Sequence, residues 1–529
     1  MRWLVLVVLV ACDHTPHDAV DASTADAPID TVNDAGCPVL ARSSDPCLGA
    51  TPACMMTCAD TDQDGLNDAW ELAGGIDLDH DGAIDACHDV LLSGADVAHP
   101  DIFVIYDWLD YAPAGDACNV TADCTSSWGS SHAGETCTGP AVAASYTGSC
   151  EFACTTDADC TGRANPGSRI GDRCIASTCQ HTHDPEALAP GALAEVVAAF
   201  ALHGTNLHVV RGHAVPHSQV VSMRGPTELT DACEGGSPSS GTAGVGKYAA
   251  SLYDLKALHA VDRLAYHYVV FAHYVACDTT AHCDACPYPM NADGTAKATT
   301  PNIGGTTGLA ELPGNDAIVS LGARVQGFGY APTVLTIAST FMHELGHNLG
   351  LHHGGGVGVI GTPTVDDTNW KPNYLSVMNY RYEFTGVEPA RAADDPRAIP
   401  CTTAADCPSP NRCFGGGCAR LDYSEEALRT LDERHLDETV TLGATQPDLI
   451  TFTDAQCDIP ASTATSAAPV DWDGDGQTTS TDVTADLTSG VDHACGSEAP
   501  MPLIGELDWP PSQPGAFLYG EQCSSWGAD

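Results

Sequence analysis

The chain has 529 residues, too many for one small hydrophobic core, so two or three domains are expected. Its 20 basic residues face 70 acidic ones, a formal net charge of −50, which argues against nucleic acid as a partner because phosphate neutralisation needs clustered Lys and Arg. The 25 cysteines are too many for a reduced cytosol and point to an oxidising compartment, while 52 Gly and 34 Pro without a repeat indicate neither collagen nor wholesale disorder.

Met1-Arg2 precedes an apolar run from Trp3 to Ala11. That run is too short to span a bilayer but fits the apolar core of an export signal, residues 1–11. Leu9-Val10-Ala11-Cys12 resembles the bacterial lipobox, in which the Cys becomes a lipidated first residue. Lipid on Cys12 would leave an even number of cysteines for pairing and would be the chain's one expected contact with a membrane. Residues 12–35, rich in Asp, Ala and Thr without apolar periodicity, read as a disordered tether. The expected product is exported, either as a cell-surface lipoprotein or secreted.

Residues 36–99 read as a small Cys-rich module with two acidic loops. Asp60, Asp62, Asp64, Asp68 and Glu71 stand at positions 1, 3, 5, 9 and 12 of an EF-hand calcium loop, with Gly65 at position 6 for the turn. Asp77, Asp79, Asp81 and Asp85, with Gly82, repeat its first nine positions, and His88 falls at position 12. A third copy near the C-terminus consists of Asp471, Asp473, Asp475 and Gly476, with Asp482 at position 12. Tandem loops of this kind resemble thrombospondin type 3 repeats, which fold around calcium. The resemblance implies structural Ca2+ that neutralises mutually repelling carboxylates; the plainer alternative is a set of solvated acidic turns.

At Asp101 the texture changes. DIFVIYDWL is dense in β-branched and aromatic residues and predicts a buried strand. Cys-rich insertions interrupt the main domain (residues 100–450) at about 115–180 and 396–419. Cys154-x5-Cys160 with Cys174-x4-Cys179, and Cys401-x5-Cys407 with Cys413-x4-Cys418, read as copies of one disulfide-stapled unit in surface loops. A helix is predicted over 184–203, a strand at 207–210, an aromatic-rich stretch at 264–275 and a strand at 317–321. His267 and His273 in that stretch read as packed, and Cys283-x-x-Cys286 as a disulfide rather than a zinc ligand pair. The mixture defines an α+β fold, followed by a C-terminal segment at 451–529.

The segment His343-Glu344-Leu345-Gly346-His347-Asn348-Leu349-Gly350-Leu351-His352-His353 carries the chemistry. Val334, Ile337, Ala338, Phe341, Leu345 and Leu349 form one apolar helical stripe, and His343 and His347 fall on the opposite face one turn apart. Two imidazoles at that spacing can share one zinc ion. Gly350 tolerates the left-handed turn that ends a helix, so the chain can swing back and deliver His353 as the third ligand. His352 is off that spacing and reads as a bystander or supporting residue. Three His ligands leave a fourth position open, the pattern of catalytic rather than structural zinc, and Glu344 is placed to take a proton from water there.

The pattern H-E-x-x-H-x-x-G-x-x-H resembles the metzincin clan of zinc endopeptidases, as does Tyr374-Leu375-Ser376-Val377-Met378-Asn379-Tyr380 downstream. The resemblance implies that Met378 is the Met-turn floor beneath the ligands. It also implies that Tyr380, as in astacin- and serralysin-like members, is a ligand at rest that swings to stabilise the oxyanion. DIFVIYDWLDY resembles the first strand of bacterial secreted members, GLAELPGNDAIVSLG their strand region before the active helix, and LDYSEEALRTLDERHLDE a helical segment after the Met-turn. The implied fold is a metzincin-like catalytic domain with a twisted mixed sheet, an active-site helix and a smaller C-terminal subdomain. Protein or peptide substrates would pair with an edge strand near 317–321. No cysteine switch of the matrix-metalloprotease kind is present. A calcium-stabilised adhesion or binding protein with a retired protease domain is the rival reading, and the intact Glu344 with three intact ligands weighs against it.

Overall fold

A computed structural model describes residues 60–78, 81–85, 88–110, 153–161, 173–215, 265–272, 307–321, 332–355, 368–392, 394–456, 462–488 and 501–509, with short stretches at 112–113, 117–118, 136–138, 148–151, 220–223, 249–256, 274–275 and 525–528. The signal, Cys12, the tether, Asp79, His273, Cys283 and Cys286 lie outside them.

Asp101–Leu109 forms a strand (β1) buried along its whole length. Alternation sends Ile102, Val104, Tyr106 and Trp108 into one core and Phe103, Ile105 and Leu109 into another. A strand buried on both faces belongs inside a sheet, and β1 is flanked on both sides by parallel partners, Asn206–Val215 (β2) and Tyr266–Ala272 (β3). Three more strands follow: Gly308–Leu312 (β4), Asp316–Ser320 (β5) and Ser525–Ala528 (β6). The sheet order is β2-β1-β3-β5-β4-β6. β5 is parallel to β3, whereas β4 is antiparallel to both β5 and β6. The fold is therefore mixed α/β around a mixed sheet.

The edge strand expected near 317–321 needs correction. Those residues fall in β5, which is paired on both sides, because the Pro313-Gly314-Asn315 turn folds β4 back along its outer flank. The helix expected over 184–203 is also two pieces. Pro185–Leu188 forms one turn and Ala192–Leu202 a helix (α1), separated where Pro190 lacks an N–H and Gly191 takes φ +84°.

α1 and the helix Val334–Asn348 (α2) cover one sheet face through Val196, Phe200, Ile337, Phe341 and Leu345. The opposite face is covered by Leu66, Trp70, Ile76, Val90 and Leu92 from the acidic-loop region. Each such fully buried side chain is worth roughly 1.5–3 kcal/mol. The boundary expected at residues 99 and 100 thus runs through one continuous core. A third core joins Leu375, Tyr382 and Leu436 to Phe452, Trp472 and Leu503, so the boundary expected at 450 is bridged as well.

The helix expected over 421–438 is absent; the segment is irregular, with bends and turns around a short strand at Leu431–Asp432. Tertiary contacts override its helical propensity: Asp422 accepts through its carbonyl from Val377 N–H, Ser424 through its carbonyl from Asp508 N–H, and Tyr423 Oη donates to the Met342 carbonyl at 2.6 Å.

Cys154 pairs with Cys174 and Cys160 with Cys179, and Cys401 pairs with Cys413 and Cys407 with Cys418. Both units join first to third and second to fourth cysteine, and both carry a hairpin in which the last two cysteines face each other. The described part of each insertion thus holds one copy of the same two-disulfide unit, as the spacing predicts. No described helix is long and apolar enough to cross a membrane.

Candidate metal centre

α2 starts on a capping box between Thr333 and Thr336 and ends at Asn348. Its end is a Schellman motif: Gly350 N–H donates to His347 O at 2.8 Å and Leu351 N–H to Gly346 O at 2.9 Å, with Gly350 at φ +90°. This left-handed residue reverses the chain and returns His353 to the histidines of the helix. Ligand nitrogens of His343, His347 and His353 lie within 4.8 Å of one another, with the Nε2 atoms of His347 and His353 3.2 Å apart. His352 is fully buried and is not one of the converging three.

Ring orientation comes from backbone carbonyls. Nδ1–H of His343 donates to Val377 O and Nδ1–H of His347 to Leu351 O, each at 2.7 Å. A neutral imidazole that donates through Nδ1 has its lone pair on Nε2, the state a metal ligand requires. The Nε2 atoms of His347 and His353, 3.2 Å apart, can share a proton or converge on one cation, and three imidazoles so placed fit a divalent metal with imidazole affinity.

Three further residues surround the cluster. Glu344 is 1% exposed, and Gly308 at the start of β4 makes room for it: a Cβ there would stand 1.8 Å from Glu344 Oε1. Met378 lies beneath the helix, and a Cβ on Gly346 would meet its Sδ at 2.3 Å. The Tyr380 ring stacks near His343 (5.9 Å between centroids) and His353 (4.7 Å), held from behind by Trp370 and by Tyr380 N–H donating to Asn369 Oδ1 at 3.0 Å. All the residues expected around the metal are brought together.

Residues without a motif complete the frame. Asn348 Nδ2 donates to the carbonyls of Glu311 and Asp316, tying α2 to the β4–β5 hairpin. Thr307 Oγ1 donates to Glu383 Oε1 at 2.9 Å, tying the start of β4 to the segment after Met378. Both join positions distant in sequence, so no local signal marks them. His267, expected as packed, is buried in β3, and burial pushes its imidazole down to about 4, so it stays neutral.

In the first acidic loop, carboxylate oxygens of Asp60, Asp62 and Asp64 lie within 4.8 Å of one another. Asp60 accepts from the N–H groups of Gln63 and Gly65, and Asp64 from those of Leu66 and Asp101. Asp68 is turned to Thr61, accepting from its N–H and hydroxyl. Among the described residues, both carboxylate oxygens of Glu71 are buried without a hydrogen-bond partner, with Glu71 4% exposed, and both oxygens of Asp62 are buried as well. Burial, reinforced by the Asp64 carboxylate, pushes Glu71 up to about 8, and burial pushes Asp64 up to about 7. Carboxylates buried in this way fit a bound cation, which could satisfy the oxygens that the loop's N–H groups leave over.

The second loop directs Asp77 Oδ2 to Gly82 N–H and Asp81 Oδ1 to Ala83 N–H, and leaves Asp77 Oδ1 buried without a partner. Asp85 faces His88, whose Nδ1 is 3.3 Å away. Asp89, which the motif does not reach, closes the loop by accepting from the N–H groups of Leu78 and Asp85. In the third loop Asp471 accepts from the N–H groups of Gly474, Asp475 and Gly476, and Asp473 Oδ1 from Asp475 N–H. Asp482 is turned outward to His435 Nδ1 at 2.7 Å. The buried Glu438, distant in sequence, accepts from the N–H groups of Trp472, Asp473 and Ser480 and holds this loop closed.

No protein-family model matches the sequence, and no curated protein matches it.

Proposed function

We propose that the chain is an exported zinc-dependent endopeptidase of the metzincin type, acting on extracellular proteins, with zinc on His343, His347 and His353 and structural calcium in its acidic loops. The observation that carries the reading is the convergence of three carbonyl-oriented or returning imidazoles beside buried Glu344, next to the first residue of β4. The sheet order with its antiparallel β4, and Met378 under the helix, support the clan resemblance. When bound, zinc supplies a Lewis acid that polarises the scissile carbonyl and lowers the pKa of water from 15.7 to about 7.

The remaining steps fall to the chain's own residues. A peptide running along β4 brings its scissile bond past Gly308, and so within reach of Glu344. Glu344 accepts the proton of the attacking water on a carboxylate oxygen and delivers it to the leaving amine. The Tyr380 hydroxyl donates to the carbonyl oxygen as negative charge gathers on it. Disulfide-stapled insertions suit an oxidising exterior, with Cys12 as the lipid-bearing residue if the product stays at the cell surface.

Casein cleavage by wild type and Glu344→Ala, with zinc content measured on both, tests the reading. Activity is expected to fall on the order of 10³-fold at unchanged zinc content. Equal activity at equal zinc would sink the mechanism. Zinc bound without cleavage by the wild type would select the binding-protein alternative instead.

A further inference from the structure

β4 is the strand whose first residue touches Glu344, and its outer side is taken by the chain itself. Leu309 pairs with Ala528, Ala310 with Gly527, Glu311 with Trp526 and Leu312 with Ser525. The pairing is antiparallel, so residues 525 to 528 run toward Gly308 and Glu344. That is the direction a peptide substrate would take if it paired with β4 and placed its scissile bond beyond the position of Ala528. β6 thus covers the backbone donors and acceptors that would hold the residues on the acyl side of that bond.

We propose that Ser525–Ala528 is an internal competitive inhibitor, a strand of the chain that occupies the acyl-side half of the peptide-binding edge and is displaced by substrate. The proposal rests on the peptidase reading above. Tethering turns docking into an intramolecular event with an effective concentration in the millimolar range, so even weak pairing competes with a dilute peptide. The inhibition is graded: four pairs of residues lie on β4, and a longer substrate that also engages the leaving-group side gains contacts that these four pairs do not supply. Long extended polypeptides are therefore the substrate class that overcomes the tail, and short acyl-side peptides the class it excludes best.

The experiment compares the zinc-loaded full chain with a chain ending at residue 524, and with Trp526→Pro and Gly527→Pro in the full chain. Neighbouring strand residues point their N–H groups to opposite sides, so one of the two proline variants removes a donor to β4 while leaving length intact. Two readouts are taken: amide hydrogen exchange across 308–312, which does not depend on activity, and steady-state cleavage of a quenched-fluorescent peptide. On truncation, exchange at 309–312 is expected to rise, and KM to fall about tenfold with kcat little changed, the effect of about 1.4 kcal/mol of docking. One proline variant is expected to match the truncation. A synthetic peptide of residues 524–529 should restore competitive inhibition of the shortened enzyme. Unchanged exchange in the truncated chain would overturn the strand pairing. Raised exchange with unchanged KM would overturn the inhibitory role. Raised exchange with no cleavage by any variant would overturn that role together with the peptidase reading, yet leave the pairing itself standing.

Discussion

The first and third acidic loops share one sequence signature and differ in what surrounds them. The first is built into the far layer of the central sheet: Asp64 Oδ2 accepts from the N–H of Asp101, the first residue of β1, and Leu66 and Trp70 pack against that sheet. Its Glu71 oxygens are buried without donors among the described residues. In the third loop the carboxylates meet backbone N–H groups, the Ser480 hydroxyl or solvent, and Asp482 faces His435 at the surface. The same spacing of Asp and Gly therefore specifies the turn, whereas the need for a cation depends on how much charge the fold takes out of water.

The largest expected effect that separates the two loops is the response to calcium removal. Binding at a thousandfold excess over Kd stabilises by about 4 kcal/mol, and the first loop should supply most of it because its carboxylates are stranded without the ion. Thermal unfolding in EGTA is expected to lower Tm strongly in the wild type. Glu71→Gln should abolish most of that dependence while leaving the calcium-free Tm no lower than the wild type's. A Glu71→Gln chain that responds to EGTA as fully as the wild type would break the comparison.

A smaller effect follows from pH. Glu71 and Asp64 are pushed up to about 8 and about 7, above the ordinary carboxylate range that the unfolded chain keeps. Groups raised in the folded state favour folding while protonated, and this contribution is lost as pH climbs from about 4 through their folded values. The calcium-free protein should therefore lose Tm between about pH 5 and pH 8, and added calcium should restore more at pH 8 than at pH 5. Equal calcium-induced shifts at both pH values would show that protons and calcium do not compete for these carboxylates.

What could be read from the sequence divides along similar lines. The placing of the three histidines, Glu344 and Gly350 was legible because helix periodicity and a glycine turn are local rules, and the strand at 101–109 because nine buried residues leave a run dense in β-branched and aromatic side chains. The two expectations that came from the clan resemblance failed where tertiary contacts decide. Residues 421–438 look helical until Asp422, Tyr423 and Ser424 are claimed by Val377, Met342 and Asp508. Residues 317–321 look like an edge until β4 folds outside them. The layer under the sheet was illegible for the same reason, since nothing near Asp64 announces a bond to Asp101. At the candidate metal centre the three converging histidines were legible, whereas the space left by Gly308 for Glu344 was not; a glycine opening a strand has many local explanations and only the folded neighbour selects one.

The smallest effect tests the third loop directly. Asp482 stands at the position where an EF-hand supplies its last carboxylate, yet its side chain is 74% exposed and turned to an equally exposed His435. The pairing raises His435 through the hydrogen bond and charge of Asp482, so any stability it adds is present at acidic pH and lost as pH rises through the folded value. An exposed pair of this kind is screened and holds two side chains in place against their entropy, so little remains to lose. Asp482→Asn should therefore leave Tm unchanged within error at pH 8, with or without calcium, and should cost at most a slight decrease near pH 5. A clear loss of calcium-dependent stability in that variant would mean that the side chain turns inward when the ion is present. The third loop would then belong with the first, and burial would not be what sets the two apart.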